Sequence, residues 1–85
     1  MQEEKEKVLE AGSFYFLNQQ FKMAIKIYKK GLKEYENDTD LLFNLGIVYE
    51  SINDIENAKD CFKKILEKEK NHEQAKKHFE KIIKG

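Results

Sequence analysis

The sequence predicts an all-α protein, a solenoid of two antiparallel helix pairs closed by a fifth, capping helix. Three observations carry this expectation. The 85 residues include no Pro, only four Gly and 38% charged residues, so helix formers dominate and the strongest helix breaker is missing. The chain matches itself when shifted by 34 residues, which marks stacked supersecondary units. Beyond the two matching units one amphipathic segment remains, and a solenoid needs such a polar-faced terminal piece.

Each element follows from spacing. Val8, Ala11, Gly12, Tyr15 and Phe16 recur at three- and four-residue steps, one face of a helix near 4–18. The polar run Asn18-Gln19-Gln20 reads as a tight turn. Phe21, Ala24, Ile25, Tyr28, Leu32 and Tyr35 form the next stripe, near 21–35. Asn37-Asp38-Thr39-Asp40 offers N-caps for a third helix near 40–52, whose stripe is Leu42, Leu45, Gly46 and Tyr49. Asn53 or Asp54 caps a fourth near 55–69, with Ile55, Ala58, Phe62, Ile65 and Leu66 inward. Ala75, Phe79, Ile82 and Ile83 give the last helix, near 73–84, its apolar stripe.

The self-match lies in the packing positions. Gly12 falls on Gly46, Tyr15 on Tyr49, Ala24 on Ala58, Tyr28 on Phe62 and Leu32 on Leu66. Val8, Ala11 and Phe21 fall on Leu42, Leu45 and Ile55. Most charged positions do not match. A mid-helix Gly costs about 0.5–1 kcal/mol relative to Ala, so Gly12 and Gly46 mark close helix approaches, expected opposite the small Ala24 and Ala58. Gly31 is expected to admit the third helix.

Composition narrows the function. Formal net charge is zero, and the 16 basic residues are all Lys. The missing Arg removes the best side chain for bidentate phosphate or guanine contacts, so no nucleic acid is expected as partner. No apolar run approaches the ~18 residues of a membrane span. The first residues lack the apolar core of a secretory leader, and a cytoplasmic location is expected. One Cys excludes an internal disulfide. His72 and His78 are six apart, off the i, i+4 spacing of helical metal ligands, and neither a metal nor another cofactor is implied. There is no phosphate loop, no carboxylate pair in a predicted pocket and no nucleophile beside a base. The chain reads as a binding module and not as an enzyme.

The period and the residues Leu42, Leu45-Gly46, Tyr49, Ala58 and Phe62 resemble the tetratricopeptide repeat family. Val8, Ala11-Gly12, Tyr15, Ala24 and Tyr28 carry the same pattern with substitutions. Glu36 and Lys70 stand where the family commonly has proline, and Gln19 and Asn53 where its inter-helix turn often has Gly. The resemblance implies a right-handed α-solenoid in one domain, residues 1–85. It places repeat one at about 5–38, repeat two at about 39–72 and a capping helix at about 73–84. Met1 and that helix fit an intact unit, and a piece of a longer array fits them too.

The resemblance also implies a concave groove lined by the first helix of each pair, for a peptide or helix of another protein. Carried over, its lining is Leu9, Ser13 and Phe16 in the first unit, then Phe43, Asn44, Ile47 and Glu50, then Lys77, His78 and Lys81. Phe43, Asn44 and Ile47 are its expected centre. The competing reading is that Phe16 and Phe43 complete packing between neighbouring helices. The family's carboxylate clamp, two Asn and three basic residues, is matched only by Asn44; Leu9, Ser13, Gln74 and His78 occupy the other places. Self-association into a homo-oligomer, or a structural scaffold without a peptide ligand, is the alternative function. Charge is uneven along the chain: residues 34–60 hold eight acids and one Lys, and residues 61–85 hold eight Lys and four acids. This is either a bipolar surface that steers a charged partner or a set of solvated helix faces. Cys61 is expected to be a structural small hydrophobe.

Overall fold

The structure is a computed structural model that describes residues 2–85. It contains α1 (Gln2–Leu17), α2 (Phe21–Glu34), α3 (Thr39–Ser51), α4 (Ile55–Lys68) and α5 (Glu73–Lys84). The described residues form no strand. Each helix packs on its sequence neighbours and α1 also touches α3, the connectivity of a solenoid of helix pairs. No helix among the described residues is long and apolar enough to cross a membrane.

Local chemistry sets the boundaries. Asp38 caps α3 by accepting the Leu41 N–H at 3.1 Å, and Asp54 caps α4 through Asn57 N–H. His72 caps α5, its Nδ1 accepting the Ala75 N–H at 3.1 Å. The two intra-pair turns are built alike. Gln20 N–H donates to Tyr15 O and Asp54 N–H to Tyr49 O, both at 2.8 Å. Gln19 N–H reaches Phe16 O and Asn53 N–H reaches Glu50 O. This is the Schellman closure of a helix end, which needs a left-handed residue just past the helix. Gln19 and Asn53 fill that place with φ of 61° and 63°. These are the positions at which the sequence departs from glycine.

Packing is centred on α3. It lies between α2 and α4, and Leu41, Leu42, Leu45, Val48 and Tyr49 are all buried. A helix covered on two sides must be apolar around most of its girth, and α3 is. The glycines do make room, but not for alanines. A Cβ on Gly46 would stand 2.7 Å from Phe62 Cζ, and one on Gly12 2.3 Å from the Tyr28 ring. The expected pairing with Ala24 and Ala58 is therefore corrected: an aromatic ring one turn further along each second helix fills the space above the glycine. Gly31 admits more than the third helix. A Cβ there would meet Val8 Cγ1 at 2.8 Å and Leu41 Cδ1 at 3.3 Å, so it sits where α1, α2 and α3 converge.

Two further departures concern exposure. Ile83 is 57% exposed although it was expected in the buried stripe of α5. That helix packs chiefly on α4, so Ala75 and Ile82 take the covered side and Ile83, 100° further round, faces the open one. Ile55, expected inward, is 39% exposed because it opens α4 beside the turn. Polar ties hold the ends of the stack. Lys5 Nζ reaches Asp38 at 2.8 Å and Asp40 at 3.0 Å. Lys68 Nζ donates to Asn37 O at 2.5 Å, and the Thr39 hydroxyl donates to Glu69.

Candidate functional site

The C-terminal half of α3, the turn after it and the face of α5 enclose an open cleft of about 590 Å³. Its apolar surface comes from Ile47, Ile55 and Ile82, and its polar groups from Glu50, His78 and Lys81. Ser51 and Asn53 complete the lip. This volume falls within the ~300–1,000 Å³ of ordinary ligand sites.

The polar wall is held in place. His78 Nδ1 lies 2.7 Å from Glu50 Oε1, joining α5 to α3. The His78 imidazole stacks on the fully buried Phe62 ring, centroids 5.1 Å apart and planes at 20°. Phe43 meets this pair from the side, 5.7 Å from Phe62 and 5.6 Å from His78, and lies 5.9 Å from His72. Four rings from α3, α4, α5 and its cap thus form one aromatic cluster behind the cleft. Its edge contacts are the favourable aromatic geometry.

Of the ten residues taken from sequence, the cleft brings together four: Ile47, Glu50, His78 and Lys81. Phe43 is half-buried in the ring cluster and does not line the cleft. Asn44 donates its amide to Asp40 O at 2.8 Å, within its own helix. Leu9 and Phe16 pack partly against the core, and the Phe16 ring contacts Phe21 at 5.7 Å. Ser13 and Lys77 are exposed and lie outside the cleft. Sequence reasoning missed Asn53, which it assigned to a turn, and Ile55 and Ile82, which it assigned to inward stripes. A signal existed: the first residue of a helix after a tight turn has a neighbour on only one side.

The Ser51 hydroxyl at the cleft lip donates to Ile47 O at 2.9 Å, within its own helix. The free thiol, Cys61, is not in the cleft; burial pushes it up to about 12, leaving negligible thiolate at neutral pH. No group of three or more His, Cys, Asp or Glu among the described residues is arranged to hold a metal ion.

A family model described as tetratricopeptide repeat matches residues 15–82. The chain belongs to the tetratricopeptide repeat family. Repeats of this family generally mediate protein–protein interaction and are not themselves catalysts. Among curated proteins none matches the chain.

Proposed function

We propose that the chain is a non-catalytic interaction module of the cytoplasm, one domain over 1–85, that holds a peptide or helix of a partner protein in the cleft between α3 and α5. Its repeats are taken at about 5–38 and 39–72, with the capping helix at about 73–84. The observation that supports this reading is the cleft itself: three isoleucines for an apolar side chain, flanked by Glu50 and Lys81 for the polar groups of a bound backbone. Leu9, Ser13, Phe16 and Lys77 extend the surface only for a longer ligand. Phe43 supports the wall through the ring cluster.

Panning a displayed peptide library against the chain, then calorimetric titration, tests this. Ile47→Ser and Lys81→Glu should each weaken selected peptides about tenfold with little change in melting. Phe43→Ala should instead lower the melting temperature. Affinity unchanged from wild type in both cleft variants refutes the reading. Self-association has one observation in its favour. Phe14 is 59% exposed, whereas its repeat counterpart Val48 is 1% exposed beneath α2. Light scattering over a concentration series separates the two readings, because a peptide-binding monomer keeps its mass.

A further inference from the structure

α2 carries a concentrated row of positive charge. Lys22, Lys26, Lys29 and Lys33 follow at steps of four, three and four residues, so they form one stripe about 16 Å long. Lys30 stands beside it, and with Ile25 these lysines line a shallow trough. Like charges three and four residues apart destabilise a helix. The ion pairs among the described residues use Lys5, Lys64 and His78, and none of the five α2 lysines.

A groove of about 360 Å³ adjoins the stripe and shares no residue with the α3–α5 cleft. Its apolar lining is Leu32 of α2, partly buried, with Leu42, Leu45 and Tyr49 of α3, which are 4%, 4% and 8% exposed. Lys29 and Lys33 make one rim, and Asp60 and Lys64 of α4 make the other. Asp60 is already paired with Lys64 at 3.3 Å, so the rim has a net positive charge.

We propose that stripe and groove form a second docking surface, for an acidic segment of a partner protein that carries apolar residues among its carboxylates. Charge complementarity selects the acid, and the apolar lining gives its hydrophobic residue a seat. Nucleic acid fits less well. Lysine lacks the planar fork that arginine brings to base and phosphate contacts, and the aromatics of this helix are engaged: Tyr28 is 2% exposed and the Phe21 ring packs edge-on against Phe16, so neither is presented as a free stacking platform. A bilayer fits less well, because the apolar side of α2 (Ala24, Tyr28 and Gly31) is turned into the core. A second copy, whose α1 exposes Glu3, Glu4, Glu6 and Glu10, is the rival occupant that the test below separates.

The probe is a fluorescein-labelled 12-residue peptide of Glu with two Leu, titrated by anisotropy into the full chain at low salt. The expected result is binding that Lys29→Glu combined with Lys33→Glu weakens at least tenfold and that added salt weakens severalfold. Amide shifts in ¹⁵N spectra should fall on α2 and α4. A control peptide with Ser for Leu should bind more weakly. Circular dichroism confirms that the double variant, changed at two exposed positions, remains folded. Equal affinity for wild type and double variant overturns the proposal, as do amide shifts confined to α3 and α5. So do equal binding of the Ser control and tighter binding of duplex DNA or phosphatidylserine vesicles than of the peptide. Self-association without peptide binding also overturns it.

Discussion

Replacing Gly46 with Ala sets two known effects against each other. Helix propensity favours Ala over Gly by about 0.5–1 kcal/mol. Against it, the added Cβ would lie 2.7 Å from Phe62 Cζ and 2.9 Å from Cε1, well inside van der Waals contact. The ring cannot yield freely, because it is fully buried, stacked on His78 and met edge-on by Phe43. Overpacking of a confined core site costs about 1–3 kcal/mol, and a contact this short on a pinned ring belongs in the upper part of that range. The net expectation is a loss of about 1–2 kcal/mol, or about 4–16 °C in melting temperature for a domain this small. Urea and thermal melts followed by circular dichroism measure it. The decisive step is the same change in a Phe62→Leu background, which removes the ring. There Gly46→Ala should become neutral or stabilising, since propensity alone remains. If Gly46→Ala stabilises the wild type as much as it does the Phe62→Leu variant, the ring does not confine the glycine and the account of the pair interface is wrong.

Other expectations follow from named groups. Gln19→Gly should raise stability by about 1 kcal/mol, because Gln19 holds a φ of 61° that glycine adopts without strain; an unchanged urea midpoint would refute this. Burial raises the Asp38 carboxyl, but hydrogen bonds from Lys5 and the Leu41 N–H outweigh it and hold the group below its ordinary 3.8. Its contribution is therefore complete above that value and is lost as pH falls through the lower folded value; Asp38→Asn should flatten the acid limb of a stability–pH curve. Burial lifts Cys61 from 9.0 to about 12, so its contribution is complete below 9.0 and shrinks as pH rises between the two. Native Cys61 should resist iodoacetamide at pH 8 and react promptly in urea; equal rates in both would show an open thiol.

Helix positions were readable because burial imposes period: Val8 to Phe16 and Ala58 to Leu66 state their inward faces outright. Side-chain geometry was less readable. Spacing shows that Gly46 and Ala58 are both small but cannot show which atom of α4 stands above the glycine, and that atom belongs to Phe62. The same limit applies to the cleft. Ile47, Glu50, His78 and Lys81 were placed by helix face and unit register, which the fold keeps. Phe43 occupies an equally groove-like register, yet it turns to the rings of Phe62, His72 and His78. A ring pointing between helices and one pointing off them have the same sequence spacing. The groove beside the α2 lysine stripe had no motif, because its lining consists of ordinary core residues and only its lysine rim is written in the sequence.

The central place of α3 has a consequence for motion. In a linear stack each helix is held by its neighbours, so opening free energy rises from the ends inward. α3 is gripped from two sides and should exchange its amide hydrogens last, through near-complete unfolding. α5 leans chiefly on α4 and should open earlier, in partial events that leave the rest intact. The cleft has one wall on each of these helices. A ligand seated there bridges the most persistent part of the molecule to one of the least, and its affinity includes the cost of quieting α5. Tight ligands should therefore slow exchange in α5 far more than in α3, and mutations that loosen α5 should weaken binding without touching a contact.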